Sequence, residues 1–228
     1  MSGLLVTGTD TGVGKTVVAC ALARGLRAAG RRVTVMKPVE TGVTEMPDDA
    51  LRLRDAAADP APLDEICPYR LRAPLAPAVA ARLEGVTVDL AHLEALVRRR
   101  LASADVLLVE GAGGLLVPIA DSVTWADLAA RLRLPLLVVA ANRLGTINHC
   151  ALTARVAEST GLTVLGFVLA STERAHDLSA ATNAAAISAL TGLPCLAELP
   201  HLDDPDAAIL DVRAFLAAAS KILDKPPG

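Results

Sequence analysis

Short, unbroken apolar runs recur along the chain, and stretches with apolar residues at helical spacing lie between them. Leu4-Leu5-Val6 opens the series. Val33-Thr34-Val35-Met36, Val106-Leu107-Leu108-Val109, the run from Leu134 to Ala141, and the run from Thr163 to Leu169 continue it; Leu193-Pro194-Cys195-Leu196 leads a shorter one. Runs of this kind, without polar alternation, suit strands buried on both faces of a parallel sheet. Helices are expected over Val17–Leu26, Leu90–Ala102, Thr124–Leu132, Thr153–Ser159, Asn183–Leu190 and Ala207–Leu223. Leu90, Leu93, Leu96 and Val97 show the spacing most clearly. Residues 79–84 form another helical candidate, Ile66–Leu71 a short strand, and Pro118–Asp121 a loop. This alternation predicts an α/β fold: a doubly wound, mostly parallel seven-stranded sheet flanked by helices. A length of 228 residues suits one such domain, taken as 1–228.

Composition narrows the class. The chain is 53% hydrophobic and only 2% aromatic, so its core must come from Ala, Val and Leu. There is no apolar stretch long enough to span a membrane and no secretory pattern at the start, so the expected location is cytoplasmic. A net charge of −3 gives no reason to expect nucleic acid or a membrane surface as partner. Arg98-Arg99-Arg100 is the one cationic run, and a solvated helix end accounts for it. Cys20, Cys67, Cys150 and Cys195 have no metal-site or redox spacing, and free, mostly buried thiols are expected. Lys and Arg total 22, yet the only lysines are Lys15, Lys37, Lys221 and Lys225. The last two lie near the end of the chain, where a solvated role suffices. Lys15 and Lys37 are candidates for chemistry that wants a compact ammonium rather than a planar fork.

Lys15 sits in Gly8-Thr9-Asp10-Thr11-Gly12-Val13-Gly14-Lys15-Thr16, between the first apolar run and the first helical stretch. Strand, glycine loop and helix together make a phosphate-binding loop, in which backbone N–H groups turn inward toward phosphate oxygens. Lys15 then reaches the β- and γ-phosphates, and the Thr16 hydroxyl can ligate Mg²⁺. Against the general pattern, Gly8 comes one residue early and Thr9 stands where glycine is expected. Lys37-Pro38 ends the second strand, because proline cannot extend a central strand, so Lys37 and Thr41 should share the rim of the phosphate loop. Asp48 and Asp49 open a short helix; an N-cap role and a Mg²⁺-facing role are equally open to them. Glu110 ends a buried strand and is followed by Gly111, Ala112, Gly113 and Gly114. A strand-end carboxylate beside a phosphate loop suits a Mg²⁺ site, although pairing with an arginine would also account for Glu110. His149 is read as a residue of a helix N-terminus rather than a base.

Taken together, these segments resemble the dethiobiotin synthetase family of P-loop NTPases. The resemblance rests on the loop from Gly8 to Thr16, Lys37-Pro38-Val39 with Thr41-Gly42, Asp48-Asp49, Val109 to Gly114, and Leu144-Gly145-Thr146-Ile147-Asn148-His149. These occur in the family's order almost end to end, and the early Gly8 is the family's own form. The resemblance implies ATP-dependent closure of a ureido ring from 7,8-diaminononanoate and CO₂ (or bicarbonate), through a carbamate and its mixed phosphoric anhydride, in biotin synthesis. It implies nucleotide contacts from Thr11, Gly12, Val13, Gly14, Lys15, Thr16, Val17, Asp49, Glu110, Gly111, Ala112, Gly113, Ala170, Ser171, Pro200, His201 and Leu202. It implies Mg²⁺ ligation by Thr16, Asp49 and Glu110, and catalysis by Lys15 and Lys37. Lys37 and Thr41 would meet the substrate. Gly145, Thr146, Ile147 and Asn148 would hold its carboxylate from the partner subunit of a homodimer. Many members carry Asn-Asp where this chain has Ala170-Ser171, so ATP is expected, with CTP or another triphosphate as the alternative.

Two other classes share parts of this pattern. Partitioning and septum-positioning ATPases resemble it in fold but carry a second lysine early in the loop, where this chain has Asp10. They also tend to carry basic surfaces or tails, whereas the end of this chain mixes Asp211, Arg213, Lys221, Asp224 and Lys225. Amidotransferase-type ligases related to cobyrinate a,c-diamide synthases need a glutaminase domain, for which 228 residues leave no room.

Overall fold

The computed structural model describes residues 3–174 and 178–223. The elements follow in the order β1 (Gly3–Gly8), α1 (Lys15–Ala28), β2 (Val33–Met36), β3 (Val39–Thr41), α2 (Asp48–Ala57), α3 (Leu63–Ile66), β4 (Tyr69–Leu71), α4 (Pro77–Glu84), α5 (Leu90–Leu101) and β5 (Val106–Gly114). The chain continues with β6 (Pro118–Ala120), β7 (Val123–Thr124), α6 (Trp125–Leu132), β8 (Leu136–Ala141), α7 (Thr146–Ser159), β9 (Val164–Ala170), α8 (Ala180–Thr191), β10 (Cys195–Leu199), a 3₁₀ turn (Pro205–Ala207) and α9 (Arg213–Leu223). The solvated role expected of Lys221 and Lys225 concerns side chains outside the described residues.

The main sheet has six strands, not seven, in the order β10-β9-β8-β1-β5-β2, and every pairing in it is parallel. The missing strand is the one expected over Ile66–Leu71. Ile66 instead ends α3, and Tyr69–Leu71 pairs with β3 in a separate parallel ribbon. Pro38 accounts for that separation, since it ends β2 and sends the chain away from the sheet edge. The segment expected as loop at Pro118–Asp121 contains β6, which pairs antiparallel with β7. The last helix starts later than its apolar pattern suggests. Asp204 accepts from Asp206 N at 3.0 Å and Asp211 from Arg213 N at 3.0 Å, each stabilising a turn before the helix begins.

Strand parity divides the core. Leu4 and Val6, Val33 and Val35, and Val106 and Leu108 all enter the apolar layer beneath α1, α2 and α9. Leu5, Met36, Leu107 and Val109 enter the opposite layer, beneath α5 and α6. Each such side chain, fully buried, contributes roughly 1.5–3 kcal/mol. The same parity sends the next residues of β2 and β5, Lys37 and Glu110, toward the face that carries α1. Among the described residues, no helix is long and apolar enough to cross a membrane. Cys20, Cys67 and Cys150 are buried, Cys195 is half-buried, and all four are free.

Candidate active site

The strand ends of β1, β2 and β5 meet where the chain crosses over to β8, the position at which open α/β sheets bind ligands. Between β1 and α1 the loop folds tightly back on itself. Gly12 and Gly14 adopt positive φ of 72° and 92°, a conformation that favours glycine. Gly8 is needed for a different reason. A side-chain carbon there would lie 2.7 Å from the Asp10 carbonyl oxygen and 3.0 Å from Lys15 Nζ. The early glycine is therefore dictated by the loop's return path. Lys15 Nζ donates to the Asp10 carbonyl at 3.1 Å. Burial lowers the Lys15 pKa, and repulsion from Lys37 adds to the effect. The first turn of α1 carries no acidic side chain, which leaves its N–H groups to an anion.

Lys37 is the centre of the site. The β2–β5 register pairs Met36 with Val109, so the next step along both strands sets Lys37 beside Glu110. Lys37 Nζ lies 2.5 Å from Glu110 Oε1 and 2.8 Å from Asp49 Oδ2. Thr16 Oγ1 donates to Glu110 Oε1 at 2.8 Å. Burial by itself pulls the Lys37 pKa down, but the carboxylates of Glu110 and Asp49 outweigh it and the net shift is upward. At Asp49 burial pushes upward, but the Lys37 ammonium, with the Thr16 hydroxyl and Arg52, outweighs it, so its pKa is lowered. Asp48 is exposed, which leaves Asp49 as the acidic residue of this helix that faces the cluster. Neither aspartate is the N-cap: that position is Pro47, which supplies no side-chain cap.

The fit to a divalent cation can be read from the donors. Glu110 is only 1% exposed, and its Oε2 has no hydrogen-bond partner. Thr16, Asp49 and Glu110 supply one hydroxyl and two carboxylates, and the carboxylates already converge on a cationic point, the Lys37 ammonium. Among the described residues, no group of three or more His, Cys, Asp or Glu side chains could hold a metal alone. A partial oxygen set of this kind suits Mg²⁺, which usually takes one or two carboxylates together with phosphate oxygens and water.

Behind the cluster, Trp125 Nε1 donates to the Ala112 carbonyl at 2.9 Å. A side-chain carbon at Gly111 would lie 3.3 Å from Trp125 Cδ2, so the indole fixes the glycine segment from behind. In front lies a cavity of about 900 Å³. Thr11, Gly12, Gly14, Lys15, Thr16 and Val17 line it from the phosphate loop, and Lys37, Thr41, Asp49, Glu110, Ala112 and Gly113 from the adjoining strand ends. Ala170, Ser171, Pro200, His201 and Leu202 line it from the ends of β9 and β10. Ala170 is 3% exposed and packs against the loop: a side-chain carbon at Gly14 would lie 3.0 Å from Ala170 Cβ.

The other anticipated residues lie elsewhere. Val13 is buried beneath the loop, and Gly111 is behind the cavity wall. Gly145, Thr146, Ile147 and Asn148 do not line the cavity. Gly145 caps α7 with φ 92°, Thr146 is buried with Oγ1 3.9 Å from Cys150 Sγ, and Asn148 is exposed. His149 belongs to the same first turn, as its position in the sequence suggests. The cavity also includes residues that motif reasoning missed: Glu40, Arg52, the Pro74–Pro77 segment, Thr172, Leu199 and Pro205. Arg52 Nε donates to Asp206 Oδ1 at 2.9 Å. The proline-rich segment is visible in the sequence as irregular, but it carries no chemical signal. Glu40 had one signal, a carboxylate between Lys37 and α2.

A family profile described as an AAA domain matches residues 2–208. An ATP-dependent dethiobiotin synthetase BioD of Anaeromyxobacter dehalogenans (strain 2CP-1) is 54% identical over 209 residues, covering 91% of this chain and 93% of the relative. A protein of the same name from Bacillus thuringiensis (strain Al Hakam) is 42% identical over 205 residues, covering 89% of this chain and 85% of the relative. Among solved structures, the MinC:MinD cell division protein complex of Aquifex aeolicus matches with a TM-score of 0.55 at 14% identity, covering 99% of this chain and 97% of that one. That likeness shows the fold, a P-loop α/β architecture, and nothing finer. At 54% identity to a named relative over 91% of its length, the chain belongs to the ATP-dependent dethiobiotin synthetase family.

Proposed function

We propose that this chain is an ATP-dependent dethiobiotin synthetase, a ligase that closes the ureido ring of dethiobiotin in biotin biosynthesis. The observation that carries the reading is the buried Lys37 ammonium, held 2.5 Å from Glu110 and 2.8 Å from Asp49 on the rim of a phosphate loop. One amine of 7,8-diaminononanoate attacks CO₂ and loses a proton, giving a carbamate. A carbamate oxygen then attacks the γ-phosphorus and ADP leaves. The second amine attacks the carbamoyl carbon, phosphate leaves with the bond it breaks, and a second proton is lost as the ring closes.

Each step asks for something that this rim supplies. Carbamate meeting triphosphate sets anion against anion, and Lys37 and Lys15 offset that repulsion as point charges. Lys15 holds the β/γ side, and Lys37 spans the γ-phosphate and the carbamate. Thr11 adds a hydroxyl to the triphosphate, and Thr41 orients the carbamate and the amines. Thr16, Asp49 and Glu110 would hold Mg²⁺, which when bound neutralises charge on the phosphate oxygens. Ala170, Ser171, Pro200, His201 and Leu202 surround the base. Ala170 has no amide to read a base edge, so ATP is the proposed co-substrate, with CTP or another triphosphate as an alternative.

The substrate carboxylate is assigned to Gly145, Thr146, Ile147 and Asn148 of the partner in a homodimer. Gly145 and Asn148 are exposed at a helix N-terminus, outside this protomer's own cavity, which supports that assignment. We also take residues 1–228 as one domain and the location as cytoplasmic. The test is product formation. Purified protein with the diamine, ¹³C-bicarbonate, Mg²⁺ and ATP should yield dethiobiotin with the label in its ureido carbon. Absence of labelled product from active, nucleotide-binding protein would overturn the reading.

A further inference from the structure

Glu40 lines the cavity and is only 7% exposed, yet it belongs to none of the groups assigned above. Its carboxylate accepts from two backbone N–H groups at the start of α2: Oε1 from Asp49 at 3.1 Å and Oε2 from Ala50 at 3.0 Å. Those are N–H groups that a helix leaves unsatisfied unless a cap supplies an acceptor. The helix has no cap of its own, because Pro47 at the N-cap makes no side-chain hydrogen bond. Glu40, reaching in from β3, takes over that task.

The same helix residue is gripped a second time. Asp49 donates to Glu40 through its main-chain N–H and accepts from Lys37 through its side chain, at 2.8 Å. Lys37 and Glu40 are three residues apart on one segment, so the stretch from Lys37 to Glu40 fixes both the backbone and the carboxylate of Asp49. Without Glu40, the start of α2 would keep only side-chain contacts of Asp49, to Thr16 and to Lys37, and Lys37 is shared with Glu110. We infer that Glu40 is a positioning residue. By capping α2 from β3, it sets the Asp49 carboxylate at the distance from Thr16 and Glu110 that a nucleotide-bound divalent cation requires. This rests on the proposed role of Asp49 as a metal ligand.

The two ideas separate in one calorimetric experiment: the affinity of a non-hydrolysable ATP analogue, with and without Mg²⁺, in wild type, Glu40→Ala, Asp49→Asn and the double variant. A metal ligand held by an outer partner typically loses about 10–100-fold in metal affinity when that partner goes. Glu40→Ala should therefore lose most of the tightening that Mg²⁺ gives, while affinity without Mg²⁺ stays within about twofold, since the phosphate loop is untouched. Acting through Asp49, Glu40 should add nothing in the Asp49→Asn background; independent effects would add. If Asp49→Asn keeps the Mg²⁺ tightening, the metal role of Asp49 falls. If Asp49→Asn loses it and Glu40→Ala keeps it, or if the two losses add, the positioning role of Glu40 is overturned. Should Glu40→Ala fail to fold, Glu40→Gln serves: its amide oxygen satisfies one N–H and its NH₂ opposes the other. An intermediate loss is expected, and an unchanged response to Mg²⁺ overturns the inference.

Discussion

Two buried ion pairs flank β2, one along its open edge and one just past its C-terminal end. Along the edge, Arg100, expected at a solvated helix end, instead pairs with Asp59, and both are almost fully buried. Asp59 Oδ2 also accepts from Val35 N at 2.9 Å, Oδ1 accepts from Ala61 N at 3.1 Å, and Arg100 Nη2 donates to the Val35 carbonyl at 3.2 Å. β2 is an edge strand of the main sheet. This pair therefore takes up the main-chain groups of Val35 that an edge leaves open. Arg100 Nε is the one atom of the pair without a partner. Past the C-terminal end of β2, Lys37 and Glu110 leave Glu110 Oε2 unpartnered beside a cavity lined by a phosphate loop. The contrast separates structure from chemistry. A planar guanidinium with its carboxylate's bonds fully spent is a brace. A compact ammonium beside a spare acceptor has bonding capacity left over, as a ligand site requires.

Removing half of the brace should have the largest effect. Asp59→Ala leaves Arg100 buried without its counter-ion, at a cost of about 3–5 kcal/mol of stability in chemical denaturation. The rate per folded molecule should be unchanged, and a large fall in kcat would erase the distinction between the two pairs. Lys37→Arg should do the reverse. A fork cannot replace a point charge between two anions, and kcat should fall by about two to three orders of magnitude. Its melting temperature should stay close to wild type; a near-normal rate would remove Lys37 from the chemistry. Trp125→Phe tests the support behind the glycine segment. It deletes one hydrogen bond to the Ala112 carbonyl and should cost about 1 kcal/mol of stability, measured by denaturation.

The smallest effect concerns pH. The Lys37 pKa is raised from 10.5, so its stabilisation is present below that value and is lost only above it. The Asp49 pKa is lowered from 3.8, so its stabilisation is present above that value and is lost as pH falls beneath it. In chemical denaturation of the wild type, the contribution of Lys37 and Asp49 to stability should therefore be flat across roughly pH 5–9. A slope near neutrality would show that some other group controls the cluster.

Parts of this arrangement are visible in the sequence because they follow from local rules. Lys37 stands out because lysine is scarce in an arginine-rich chain, and Glu110 because a carboxylate ends a fully apolar run. Strand parity then puts both on the face of α1. What pairs with what is less visible. Tyr69-Arg70-Leu71 has the composition of a strand, but nothing local says that its partner is β3 rather than the main sheet. Asp48 and Asp49 are indistinguishable by residue type. Only the phase of α2 turns one to Lys37 and the other to solvent. Glu40 is hidden for a related reason: its partners are backbone N–H groups, which every sequence carries and no motif marks. Gly8 lies between these cases, noticeable as an early glycine and explained only by the return of Lys15 over it.

The central claim is that this rim couples phosphoryl transfer to a diamine. Phosphate release, followed in real time with ATP, Mg²⁺ and bicarbonate in the presence and absence of 7,8-diaminononanoate, tests it most directly. Release should begin only when the diamine is added and should match dethiobiotin formed, mole for mole. Steady release without the diamine would mark the protein as an ATPase of another kind and contradict the account.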